Sequence, residues 1–280
     1  MKKRITLGQI TAFREHLVEE EREPATIEKY LRDVSGFAAW IGGQAVTKET
    51  VTRWKEQLAA SGCQPVTING KISAVNKFFA FLGWADCRVK YLKIQRRMFR
   101  NTERELTKDE YSRLVETAHN LGRERLALLI ETICATGIRV SEVRYITIES
   151  IQSGRADIAL KGKIRTILLP GKLCRKLLKY ARKKKIASGE IFLTRSGRGL
   201  SRRQIWAEMK AICARAGVEK TKVFPHNLRH LFARTFYRAC RDVARLADVL
   251  GHSSIETTRI YLISSGVEHA RQLERLGLIS

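Results

Sequence analysis

Apolar residues recur at helical spacing through Ile10, Phe13 and Leu17 and again through Tyr30, Val34, Phe37 and Trp40. A 3.6-residue period puts such positions on one face of a helix, so about the first hundred residues must pack as helices. Four fit, over about 7–21, 25–41, 48–60 and 65–82. Thr47 precedes the third as a capping residue, and Pro24 sits where a first helical turn tolerates it. Gly42, Gly43 and Gly62 mark helix ends.

The period changes once. From Thr107-Lys-Asp-Glu110, which reads as a helix start, the chain runs into a strongly apolar helix, Leu126 to Cys134, that stops at Thr136-Gly137. Ala156 to Leu169 is then two short runs rich in Ile and Leu around Lys161-Gly162-Lys163, the pattern of a β-hairpin. Helices follow, broken at 196–199, Gly217, Pro225 and Gly251. The expected fold class is therefore mainly α with a small β-hairpin. Residues 1–90 form a helical domain, 91–106 a basic linker with Arg96, Arg97 and Arg100, and 107–280 a second domain.

The net charge is +25, with +8 in residues 1–100 and +17 in the rest. That excess points to a polyanionic partner touched by both halves. No apolar run approaches the roughly 18 residues that span a bilayer, and Met1 to Ile10 lacks a signal-peptide core. A cytoplasmic, nucleoid-associated protein is expected. Six scattered cysteines lack zinc-site spacing and read as reduced, mostly buried thiols.

Phosphate-loop and H-E-x-x-H motifs are both missing from the chain. What remains is a set of basic and hydrogen-bonding side chains at element ends: Arg139, Lys161, His226, Arg229, His252 and Tyr261. Together they suit metal-free phosphoryl transfer, which needs a nucleophilic oxygen, cations for the equatorial oxygens and a proton donor for the leaving oxygen. Arg139 follows the Gly137 helix stop, and Glu142 is spaced to brace it. His226 and Arg229, three apart, share a helix face pointing away from a core anchored by Leu228, Leu231 and Phe232, whereas His230 reads as structural. Ser253 or Ser254 can cap a helix that ends near Tyr261. Lys163 rivals Lys161 as the hairpin acid.

In order, spacing and surrounding words, ATGIRVSE, LKGK, HNLRH and LGHSSIETTRIY resemble the tyrosine recombinase (phage integrase) family. The resemblance implies a two-domain C-shaped clamp, a helical core-binding (SAM-like) domain plus a catalytic domain, on double-stranded DNA. Within it, Tyr261 attacks the scissile phosphate to give a 3′-phosphotyrosyl link. Arg139 and Arg229 hold the non-bridging oxygens with His252, Lys161 is the general acid, His226 takes the tyrosine proton, and Glu142 supports. No metal, ATP or other cofactor is required. Members act as tetramers on two sites, here through a C-terminal helix over 267–278. The chain departs from many members in running Tyr261-Leu-Ile after the tyrosine and in a hairpin one residue shorter than G-K-G-x-x-x-R. Its plan is nearer to compact Xer-like members than to lambda integrase. The alternatives are a non-catalytic DNA-binding protein on the same fold and a type IB topoisomerase-like enzyme.

Overall fold

The computed structural model describes residues 3–94, 102–160, 163–252, 254–259, 261 and 274–275, with the backbone alone at 102, 160, 163 and 164. The chain divides into two compact units, Met1–Arg96 and Arg97–Ser280. Unit one holds α1 (Leu7–Glu19), α2 (Pro24–Ile41), α3 (Lys48–Ala60) and α4 (Pro65–Phe81). α1 stops earlier than its periodicity suggests because Glu21 takes a left-handed conformation, φ 54°. Thr6 and Thr47 accept hydrogen bonds from Gln9 N and Thr50 N, satisfying first-turn donors. The apolar stripes meet in an aromatic core, with Phe13 against Phe78 at 5.1 Å and Phe37 against Trp54 at 5.0 Å between ring centroids.

Asparagines on α4 then bind the chain that leaves this core. Asn76 donates to Val89 O (2.9 Å) and accepts from Val89 N (3.1 Å), and Asn69 repeats the pattern with Leu92. Seven residues is about two helical turns, so the two amides lie on one face and pair with an extended segment as a strand neighbour would.

Unit two opens with α5 (Lys108–Asn120), capped reciprocally by Thr107 and Glu110, and the largely buried α6 (Glu124–Thr136). Gly137 ends α6 at φ 63°, and a Cβ there would lie 2.7 Å from Phe232 Cε1, so only glycine fits both conformation and space. A 3-10 turn over Val140–Tyr145 leads to α7 (Ile148–Ser153) and the antiparallel pair β1 (Arg155–Leu160) and β2 (Lys163–Leu168). Then come α8 (Gly171–Lys183), α9 (Arg202–Lys210), α10 (Pro225–Cys240), α11 (Val243–Leu250) and α12 (Ile255–Arg259). The core joins α6, α8 and the inner hairpin face, where Ala156, Ile158, Ile167 and Leu169 are buried. All six cysteines are free thiols, of which Cys87, Cys174 and Cys213 are buried. None of the described helices is long and apolar enough to cross a membrane.

Candidate active site

Three chain breaks and one strand face meet at one place in unit two: the end of α6, the start of α10, the α11–α12 turn, and the inner face of β2. Arg139 lies two residues past Gly137 and caps the 3-10 turn. Its backbone N–H donates to Glu142 Oε2 at 2.7 Å and its Nη1 to Oε1 at 2.8 Å. Glu142 is buried, while the Arg139 side chain is 41% exposed, so the carboxylate anchors a guanidinium whose far side faces solvent.

α10 begins at Pro225 and carries His226, Arg229 and His230. Leu228 and Leu231 anchor it in the core, as their spacing requires. The expectation that Arg229 points away from that core is corrected: the residue is only 2% exposed. A buried guanidinium needs acceptors, and the broken helix ends provide them. Arg229 donates to Gly137 O at the end of α6 and, at 2.8 Å, to Leu250 O at the end of α11. Two helix C-termini thus hold one cation, the sign their dipoles favour.

His252 follows Gly251, and its Nε2 lies 3.0 Å from Arg229 Nη2. Guanidinium only donates, so Nε2 must accept, and the ring proton is assigned to Nδ1, which meets Thr258 Oγ1 at 2.8 Å. That tautomer is neutral. Burial, and then Arg229, Arg139 and Arg165, push the His252 pKa down to about 4. Ser254 Oγ accepts from Glu256 N at 3.2 Å at the start of α12, which ends two residues before Tyr261. The buried tyrosine ring packs with Ala233, Leu246 and Leu250. It stacks on His252 at 5.9 Å and meets His230 edge-on at 4.7 Å.

His230 is the second correction. Read as lying on another face from His226, it sits one turn further along the same face, 4.5 Å from the His226 ring and in contact with Tyr261. The four-residue spacing was the available signal. The His226 pKa is lowered by burial and by Arg229 and Arg139, although the residue keeps an exposed surface.

A further participant, Arg165, was missed. From β2 its Nη1 reaches both oxygens of Glu142 at 3.4 Å, and its Nη2 donates to Val249 O at 2.9 Å. Its signal was strand alternation, because Arg165 pairs across the sheet with buried Ile158 and therefore faces inward. With Arg139, Arg229 and Glu142 it gives the cluster a formal charge of +2, suited to an anion. Among the described residues no group of three or more His, Cys, Asp or Glu is placed to hold a metal ion. Lys161 lies outside the described residues, as do Arg96, Arg97 and Arg100 and, apart from Glu274 and Arg275, the 267–278 segment; for Lys163 only the backbone is described. A separate cavity of about 950 Å³ beside Gly122, Lys183 and Arg195 contains none of the site residues.

Residues 104–266 match the Phage integrase family and residues 10–86 the Phage integrase, N-terminal SAM-like domain. The tyrosine recombinase XerA of Pyrococcus furiosus is 29% identical over 280 residues, covering 94% of each chain. Among solved structures, a lambda integrase tetramer bound to a Holliday junction aligns with TM-score 0.75 at 16% identity, over 92% of this chain and 77% of that one. The XerH recombinase in a post-cleavage complex with palindromic difH substrate aligns with TM-score 0.69 at 19% identity, over 90% and 79%.

Proposed function

The chain belongs to the phage integrase family of tyrosine recombinases, and from that premise we propose that it cleaves and rejoins DNA strands at a defined site with Tyr261 as nucleophile. The observation that carries the reading is the buried Arg229 guanidinium, hydrogen-bonded to His252, on whose ring Tyr261 stacks. It sets a fixed positive charge next to the imidazole on which the tyrosine stacks, on a side chain that two helix ends immobilise.

In the proposed reaction the Tyr261 oxygen attacks the scissile phosphorus, the bond to the 5′-oxygen breaks, and a 3′-phosphotyrosyl link forms. Arg139 and Arg229 offset charge on the non-bridging oxygens. Arginine suits this because its planar fork meets two oxygens at once. His252 assists them, and Glu142 braces Arg139. His226 accepts the tyrosine proton, with the His230 ring next to both. Lys161, or Lys163 in its place, protonates the departing 5′-oxygen. The link conserves the energy of the broken ester, so a second strand's 5′-hydroxyl can reverse the step without ATP. Residues 1–90 act as the core-binding domain, 91–106 as a basic linker and 107–280 as the catalytic domain, all on double-stranded DNA. Four protomers joining two sites, through residues 267–278, would carry out integration and excision of a mobile element or Xer-like resolution.

The test is covalent capture. The protein is incubated with sheared DNA of its own organism and denatured, and the attached fragments are recovered and sequenced, with Tyr261→Phe in parallel. Fragments attached only to the unaltered protein are expected, and they also define the site. Binding without covalent product in both proteins would favour a non-catalytic role. Capture spread over unrelated sequences would favour a relaxing topoisomerase.

A further inference from the structure

Arg165 occupies a position where a cation is costly. Its side chain is 11% exposed, its Nε is buried without a partner among the described residues, and burial lowers its pKa to about 10. An inward-facing arginine in a two-stranded hairpin calls for a reason beyond packing, since an apolar residue would fill the space without desolvating a charge.

The reason lies in Glu142. If Arg139 alone were paired with this buried carboxylate, the two charges would cancel and exert little pull on an incoming anion. Arg165 Nη1 contacts both oxygens of Glu142, so one carboxylate is shared by two guanidiniums and a positive charge is left over. Exposure decides which arginine meets the substrate: Arg139 is open to solvent and Arg165 sits behind it. The other end of Arg165 donates to Val249 O in the last turn of α11, and its stem lies against Gly251, whose carbonyl also accepts from Arg139 Nη2 at 3.4 Å. One side chain therefore ties the turn bearing Arg139 to the turn bearing His252.

We propose that Arg165 is a positioning residue of this site, which balances Glu142 and fixes the Gly251–His252 turn so that Arg139 presents an uncompensated charge to the scissile phosphate. The inference rests on the recombinase reading. It is tested on duplexes carrying the captured site, one with the ordinary scissile phosphodiester and one with a methylphosphonate there. The methylphosphonate replaces a charged non-bridging oxygen with a neutral methyl group and so needs less cationic help. Single-turnover cleavage at saturating protein is compared for the unaltered protein, Arg165→Gln and Arg165→Lys, alongside duplex affinity and urea unfolding.

On the phosphodiester, Arg165→Gln is expected to cleave about 100-fold more slowly and Arg165→Lys about 10-fold, the range found when a residue orienting a reactive group is lost. Duplex affinity should stay within about 3-fold, because outer charges dominate it. On the methylphosphonate both variants should come within about 3-fold of the unaltered protein, as removal of a charge-stabilising interaction requires. A folding defect shared by both substrates would not produce that recovery. Either variant suffices if the other fails to fold. Unaltered rates, or equal losses on the two duplexes, overturn the inference while leaving the recombinase reading in place. Absence of covalent product from the unaltered protein brings down both.

Discussion

At the scale of single residues, the site's order along the chain was readable, whereas its depth was not. Arg139, His226 and His252 stand within two residues of the breaks at Gly137, Pro225 and Gly251, and those breaks meet in space around Arg229 and Tyr261. Gly251 tests how tightly they are held. Its φ is 62°, and an added Cβ would lie 2.7 Å from Arg165 Nε, whereas Gly154, at φ 73°, has nothing within 4 Å. Gly154→Ala should lose only the left-handed backbone preference, about 1 kcal/mol. Gly251→Ala should lose about 2–3 kcal/mol in urea unfolding and slow covalent capture, because Arg165 must also move. Equal losses would show that Arg165 is not fixed there. His252 gives a pH prediction. Its folded pKa, about 4, lies below the ordinary value of 6.5, so the unfolded chain takes up the proton first as pH falls. Its contribution to stability is complete above about pH 6.5, declines down to about pH 4 and is flat below. Over that window His252→Asn should lose less stability than the unaltered protein, and a ring proton titrating near 6.5 by NMR would refute the assignment. Arg229's burial follows from no linear motif, and the strand alternation that turns Arg165 inward does not reveal what it meets there. Both depend on carbonyls freed at the ends of helices distant in sequence.

Among the elements, capping chemistry made most helix starts legible, including Thr47 and Thr107, while ends set by backbone conformation were less so: α1 stops at Glu19 because of the turn at Glu21. The asparagine pairing on α4 was not legible at all, since an Asn within a helix ordinarily reads as neutral or unfavourable. Asn76 is buried and serves both polar groups of Val89; Asn69 is partly buried and serves Leu92. Asn76→Ala should therefore destabilise unit one by about 2–3 kcal/mol, the cost of leaving buried backbone groups unpaired. Asn69→Ala should cost less, because water can replace its amide. Chemical denaturation of both variants, read by Trp fluorescence from Trp54 and Trp84, gives the order, and the reverse order would show that the segment is held by its apolar contacts instead.

For the whole molecule, the net charge of +25 and the buried cluster act at different steps. The charge total was visible at once in the sequence; its division of labour needed the structure, which separates the mostly exposed lysines and arginines from Arg165 and Arg229, where solvent ions reach poorly. Exposed charges bind by releasing counterions from DNA, so duplex affinity should fall about 1,000-fold or more between 50 and 200 mM salt if six or more phosphates are contacted. Buried pairs are screened far less. Once the duplex is saturated, the single-turnover rate of covalent capture should change by less than about 3-fold over the same range. Fluorescence anisotropy of a labelled duplex and quenched capture reactions measure the two quantities separately. A rate that fell in step with affinity would mean that the cations acting at phosphorus are open to solvent, and Arg139, the exposed member of the cluster, would then carry most of the stabilisation assigned here to Arg229.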